Sequence, residues 1–143
     1  MAKDGFQFED NSKQVKKQFH DVSEEGMLAA LLLVEGQAKA LARVRTGEMR
    51  DRLDHKISTK GSRVMGRVGS PNEHAIYNEF GTGEFAENGA GRKGGWVYKD
   101  PSGEWFFTWG MEPRPFLRPA FRATKKQVKE ILAIHYKSKF RGK

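Results

Sequence analysis

The sequence predicts an α+β fold, with a long helix first, short antiparallel strands in the middle and a second helix at the end. Apolar residues recur at helical spacing from about Val15 to Val44, and again from Pro119 to about Tyr136. Between these segments lie short β-rich runs separated by turn residues. The length of 143 residues is typical of one domain, and we expect 1–143 to form it.

The first helix would be about 45 Å long, because each of its roughly 30 residues adds 1.5 Å. Gly26 and Gly36 fall inside it, and each costs about 1 kcal/mol relative to Ala. The segment Met27–Val34 is apolar around the whole helix, which a helix with one side in water does not require. This section is therefore either buried on several sides or packed against another subunit.

Short elements are expected in the middle of the chain. Thr46 can cap a short helix over Glu48–Leu53. The runs Ile57–Thr59 and Arg63–Gly69 predict the two strands of a hairpin. A helical turn is expected over Glu73–Phe80, because a proline just before it suits the start of a helix.

The second half begins with a glycine-rich segment and a second hairpin. Residues 81–95 contain six glycines and few core residues, so we expect a flexible loop. Trp96–Lys99 and Trp105–Trp109 flank an Asp-Pro-Ser-Gly turn and predict two paired strands. Their aromatic residues alternate and are expected to share one face, where they either form sheet core or stack on nucleic-acid bases. These residues are Trp96, Tyr98, Trp105, Phe107 and Trp109.

Composition indicates a soluble intracellular protein. The chain has no cysteine, which excludes disulfides and thiolate metal sites. Its first residues are polar and lack the apolar core of a signal peptide. Its longest apolar run is far shorter than the roughly 20 residues of a membrane span. We expect residues 1–12 and the basic tail 137–143 to be flexible.

The net charge of +8 is concentrated at the end of the chain. Residues 111–143 hold ten Lys and Arg against two acids, whereas the two sign counts balance before them. One side of the last helix is basic, and it either contacts phosphates of a nucleic acid or is simply solvated. Its cations are Arg118, Arg122, Lys125, Lys126 and Lys129.

The residues offer no candidate for catalysis, cofactor binding or metal binding. The four histidines are scattered, and no pair has the spacing of helical metal ligands. The glycine-rich loop lacks the residue order of a phosphate-binding loop and leads into a strand. No serine lies in a nucleophile turn. We therefore expect a binding or assembly protein and not an enzyme.

Glu79 is an acid within an apolar run that ends at Phe80. It is either partly buried and paired with Arg or backbone N–H groups, or exposed at a helix end.

Three segments, in order, resemble the tail-component family of tailed bacteriophages. Residues 42–50 (ARVRTGEMR) resemble the pattern pvdTGxLRxSI, and residues 74–82 (HAIYNEFGT) resemble YAxyvEfGT. Residues 96–116 resemble GWxYxDxxGxwxfTxGxxPxPFLxPA. The resemblance covers about Leu28 to Lys129. Met49, Arg52 and Asn78 depart from it, where Leu, Ser and Val are usual.

The resemblance implies a long N-terminal helix packed on a small antiparallel sheet, in a structural protein of the head–tail connector (neck or tail-completion) region. Such a protein forms a ring of about six or twelve copies around the DNA channel, joins head to tail, and contacts neighbouring head-completion and tail proteins. It belongs to the virion and is in the host cytoplasm during assembly. The framework residues would be Thr46, Gly47, Glu79, Phe80, Gly81, Thr82, Pro115 and Phe116.

Two sets of residues are then candidates for binding. The subunit-interface candidates are Leu28, Leu31, Leu32, Glu79, Phe80 and Phe116. The DNA-channel candidates are the five cations of the last helix, Arg118, Arg122, Lys125, Lys126 and Lys129. A free nucleic-acid-binding protein is the alternative function, and tight, salt-sensitive binding by the monomer would distinguish it.

Overall fold

The computed structural model describes residues 5, 7–44 and 47–141. Two helices, two hairpins and short helical segments follow one another in the predicted order, so the α+β prediction is confirmed. The elements are α1 (Ser12–Leu41), α2 (Glu48–Asp51), β1 (Asp54–Lys60), β2 (Arg63–Gly69), α3 (Glu73–Phe80), a 3-10 turn (Gly83–Phe85), β3 (Trp96–Lys99), β4 (Trp105–Thr108) and α4 (Leu117–Phe140).

Both long helices end at residues other than those predicted. Helix α1 begins at Ser12, three residues before Val15, and the backbone N–H of Ser12 donates to the Asp10 carboxylate at 2.9 Å. At its other end the chain becomes extended at Ala42. The last helix, α4, begins at Leu117 and continues past Tyr136 to Phe140, whose ring stacks on Phe19 with centroids 4.1 Å apart. Thr46, the predicted cap of α2, lies outside the described residues.

The helices α1 and α4 form an antiparallel pair. Phe19, near the start of α1, packs on the end of α4, and Ser23 and the Tyr136 hydroxyl are 2.5 Å apart. Ala38, near the end of α1, shares a buried cluster with Phe116 and Ala120, at the start of α4. Small residues surround the Phe116 ring, which is 1% exposed, and they let the elements approach closely. The cluster is completed by Ala42, Leu53 and Ala75.

The first hairpin packs against the same long helix. β1 and β2 pair antiparallel from Asp54 with Gly69 to Lys60 with Arg63. A Cβ atom at Gly66 would lie 2.6 Å from the sulfur of Met27 and 2.8 Å from Leu31, so glycine allows α1 to lie directly on β2. This contact is the predicted helix-on-sheet packing.

The second hairpin contradicts the prediction that its aromatic residues share one face. Trp96 pairs with Thr108, Tyr98 with Phe106, and Lys99 with Trp105. Residues directly opposite each other lie on the same face, so Trp105 and Phe107 are on the face opposite Trp96 and Tyr98. The prediction was wrong because it assumed a different register across the turn.

The hairpin residues are also not sheet core. Trp105 is 67% exposed, and Val97, Tyr98, Phe106 and Phe107 are all exposed. A two-stranded hairpin with so much apolar surface in water is marginally stable by itself.

Among the residues that the structure describes, no helix is both long and apolar enough to cross a membrane.

Candidate assembly surfaces

The carboxylate of Glu79 joins the end of α3 to the start of α4. Its Oε2 accepts hydrogen bonds from the backbone N–H groups of Phe116 and Leu117 at 2.9 and 3.0 Å. Its Oε1 accepts from the backbone N–H of Arg118 at 3.0 Å and from the Arg118 Nε at 2.9 Å. Glu79, a residue of α3, therefore caps the N-terminus of α4. The helix dipole of α4 also stabilises the negative charge at this position.

Glu79 is 3% exposed, so its charge depends on these partners. Burial raises the pKa of Glu79, but the hydrogen bonds from Phe116, Arg118 and Leu117 together outweigh burial and hold this pKa below its ordinary value. Of the two interpretations of this acid, the buried, paired one is the one observed.

Arg118 has two carboxylate partners. Besides Glu79, its guanidinium donates to both oxygens of Glu87 at 2.9 Å and lies over the Phe80 ring, 4.7 Å from the centroid. These carboxylates, Glu87 first, raise the pKa of Arg118. The charge of this predicted DNA-channel residue is therefore already matched within the chain.

The glycine-rich segment 81–95 is tied to its surroundings at several points. The backbone N–H groups of Thr82 and Glu84 donate to the carbonyls of Met111 and Trp109, each at 2.9 Å. The Glu84 carboxylate accepts from the backbone N–H of Gly94 at 2.8 Å. The segment connects α3 to the second hairpin and forms one wall of a groove.

That groove has a volume of about 1340 Å³ and lies between α3 and the second hairpin. Ile76, Tyr77 and Phe80 contribute exposed apolar surface from α3, with Ile76 62% exposed. Trp96 and Tyr98 contribute the inner face of the hairpin. No sequence pattern indicated this groove, because its walls come from segments far apart in the chain.

Two cations, Arg43 and Arg92, line the groove, and both are exposed. Arg92 lies 5.5 Å from the centroid of the Trp96 ring. Glu48 also lines the groove, and Arg52 pairs with it at 3.2 Å. Within the described part of the chain, neither Arg43 nor Arg92 forms an ion pair with a carboxylate.

Two of the residues that depart from the family pattern contact each other at the rim of this groove. The amide Nδ2 of Asn78 is 3.5 Å from the sulfur of Met49, and it also donates to the His74 carbonyl at 2.8 Å. The third, Arg52, makes the surface ion pair with Glu48. Met49 also packs against the buried cluster around Phe116, whereas Arg52 is exposed.

The apolar section of α1 divides between core and surface. Leu31 is buried beneath β2, whereas Leu28 and Leu32 are exposed, Leu32 at 52%. Asp21 and Glu25 are exposed on the same side, because these residues fall within an arc of about 60° on a helix of 3.6 residues per turn. We call Asp21, Glu25, Leu28 and Leu32 the outer stripe of α1.

The remaining interface candidates have different exposures. Phe80 is exposed at the groove, whereas Glu79 and Phe116 are buried inside the chain. Both therefore have a structural role within the chain, and an interface that includes them stays a prediction. Surfaces open to a partner are Leu28, Leu32 and Phe80.

The other four DNA-channel candidates remain available. Arg122, Lys125, Lys126 and Lys129 are exposed and lie within an arc of about 100°, opposite the buried Ala120 and Thr124. We call these four residues the basic face. Among the described residues, none of them forms an ion pair.

Glu35, Asp54 and His55 form a cluster that the sequence did not indicate. Lys39 and His55 each approach one oxygen of Glu35 at 2.5 Å. Lys39 first, then His55, holds the pKa of Glu35 below its ordinary value. Both oxygens of this carboxylate therefore already have partners, and the cluster links α1 to β1.

These surfaces supply apolar area and charge, which is the chemistry of association. A family described as "Bacteriophage HK97-gp10, putative tail-component" matches residues 6–81, which is just over half of the chain. The match ends at Gly81, so the resemblance of residues 96–116 lies beyond it. No curated protein and no solved structure matches the chain. The match spans α1 to α3 and includes the resemblance around Gly47 and Glu79, and the chain therefore belongs to the HK97-gp10-like family of bacteriophage tail components.

Proposed function

We propose that this tail component is a subunit of the head–tail connector, which assembles as a ring around the DNA channel and joins head to tail. One observation carries the proposal, namely the amount of apolar surface left uncovered in the single chain. Large apolar patches of this kind mark sites of association. They lie on α1, on α3 and on both faces of the second hairpin.

The positions of these patches favour a ring over a simple pair. Leu28 and Leu32 lie on α1 and do not line the groove, so the chain has at least two separate apolar surfaces. When two different surfaces of one chain bind each other, each copy binds a neighbour on either side, and the series closes into a ring if the rotation allows it. About six or twelve copies would surround a DNA channel.

The basic face of α4 supports a place next to DNA. Exposed Lys and Arg neutralise phosphates without reading bases, which suits a channel through which every sequence must pass. In this proposal Arg122, Lys125, Lys126 and Lys129 line the channel, while Arg118 holds α3, the 81–95 segment and α4 together.

The proposal is tested by complementation. A phage that carries a stop codon in this gene should accumulate filled heads and separate tails, and the purified protein should restore infectivity when added to the lysate. A matched addition of Phe116→Ala protein, which lacks the ring at the centre of the buried cluster, should restore much less. Joined but non-infectious particles in the mutant lysate would contradict the connector role.

The alternative, a small basic nucleic-acid-binding protein, is favoured by the basic face alone. It predicts that the monomer binds DNA tightly at low salt and that the mutant lysate still contains joined particles. The complementation experiment therefore separates the two functions.

A further inference from the structure

We propose that the outer stripe of α1 in one copy docks into the groove between α3 and the second hairpin of the next copy. The proposal rests on the ring assembly proposed above and names the contact that builds it. Its occupant is a second copy of this chain.

Shape and size favour this occupant. The groove, at about 1340 Å³, is larger than the roughly 300–1,000 Å³ of pockets that enclose small ligands. The outer stripe is a convex ridge on a helix, and Leu28 and Leu32 stand one turn apart on it, about 6 Å along the axis. An amphipathic helix that lays such apolar residues into an apolar groove is a common mode of recognition.

The apolar residues on the two sides are complementary in kind. Leu28 and Leu32 are exposed aliphatic side chains, and the groove presents the exposed Ile76, Tyr77 and Phe80. Contact between these surfaces would cover both at once. Removing apolar area from water is favourable, so covering these two exposed patches would stabilise the contact.

The charges on the two sides are opposite. Asp21 and Glu25 are exposed in the outer stripe, and Arg43 and Arg92 are exposed in the groove. Among the described residues, none of these four charges has an ion-pair partner in its own chain. Opposite charges flanking an apolar contact fix its orientation and exclude wrong partners.

Cross-linking between single-cysteine variants tests the contact, because the natural chain has no cysteine. Leu32→Cys protein is mixed with Ile76→Cys protein and treated with a short bifunctional thiol reagent. The proposal predicts a shift from monomer to dimer in the mixture, with a product that joins residues 32 and 76. Neither variant alone should give this shift, because a heterologous contact brings together two different positions.

Leu32→Cys mixed with Phe107→Cys is the matched control, since Phe107 is comparably exposed but does not line the groove. The same reactions are run on the purified protein and on particles complemented with it, and light scattering gives the oligomeric state. An oligomer, or a joined particle, that yields the 32–107 product or neither product overturns this contact and leaves the connector role standing. If the purified protein fails to restore joined particles, that result contradicts the connector role and does not test this contact.

Charge reversal gives a second readout. Glu25→Arg and Arg92→Glu should each reduce the oligomer, and the double variant should recover it. Because each variant alters an exposed side chain, urea unfolding of each monomer should be unchanged. A double variant that is no better than its parents would overturn the charge pairing across the contact.

Discussion

Glu79 belongs to the last turn of α3, and its carboxylate caps the N-terminus of α4. Replacing it by Ala would leave three backbone N–H groups and the Arg118 Nε without their acceptor. Loss of one member of a buried pair together with a helix cap typically costs about 3 kcal/mol. We expect Glu79→Ala to lower the free energy of urea unfolding by about this amount.

Glu87→Ala is the matched control for this prediction. It removes the second carboxylate that pairs with Arg118, and this carboxylate is exposed to water. Its effect on the free energy of unfolding should be much smaller, because exposed ion pairs contribute little. Equal effects of the two substitutions would contradict the importance of the cap.

The same residue predicts how stability depends on pH. The ordinary pKa of the glutamate side chain is 4.5, and in the folded protein the pKa of Glu79 lies below it. The stabilisation is therefore complete above 4.5, and it is lost as pH falls through the lower, folded pKa. As pH falls below 4.5, wild-type stability should therefore decrease more steeply than that of Glu79→Gln. Parallel curves from thermal unfolding would exclude Glu79 as the titrating group.

The sequence leaves Glu79 either partly buried and paired with Arg or backbone N–H groups, or exposed at a helix end, and the structure shows the first. The apolar run around this acid does not decide between the two, because a buried carboxylate requires partners that the run does not contain. Its partners begin at Phe116, which is 37 residues away along the chain, so no local pattern connects the two. The Glu35–His55 contact was missed for the same reason.

At the scale of elements, the two glycines of α1 differ in their surroundings. A Cβ atom at Gly36 would have nothing within 4 Å, whereas one at Gly26 would lie 3.2 Å from Leu132 of α4. We expect Gly36→Ala to stabilise the protein by up to about 1 kcal/mol, through helix propensity alone. Gly26→Ala should gain less or destabilise, because α4 must move to admit the methyl group. Chemical unfolding of the two variants beside the wild type checks this, and an equal gain in both would contradict the close packing of α1 on α4.

Element boundaries show where local patterns stop being sufficient. The run Asp54 to Lys56 is polar and did not predict a strand, yet it pairs in full with Arg67 to Gly69. Tertiary packing on α1 and the partner strand override the weak local preference. The second hairpin was located correctly, but its register depends on the geometry of the turn, and a one-residue error moves every side chain to the other face.

At the scale of the whole molecule, the basic face should determine the salt dependence of binding to duplex DNA. Replacing Arg122, Lys125 and Lys129 together by Ala should reduce the slope of log K against log salt by about 0.9 for each phosphate that the protein no longer neutralises. Lys13, Lys16 and Lys17 of α1 are equally exposed and provide a control variant with the same change in charge. If both triple variants weaken binding equally, then net charge, and not the basic face, is responsible.

The architecture followed from the sequence more fully than the surfaces did. Helical spacing and turn residues predicted the order of elements, because these patterns are local. The groove could not be predicted, because α3, the 81–95 segment and the hairpin meet only in the folded chain. Exposure of the hairpin was likewise unpredictable, since an alternating aromatic run is typical of core and of interface alike.

Ring assembly is tested most directly by the mass of the purified protein, measured by light scattering behind a sizing column at low and at high salt. Because the proposed contacts are largely apolar, we predict one discrete oligomer of about six or twelve copies that persists at high salt. A protein that remains monomeric at every concentration and salt, and that is also present as a single copy in joined particles, would contradict the account.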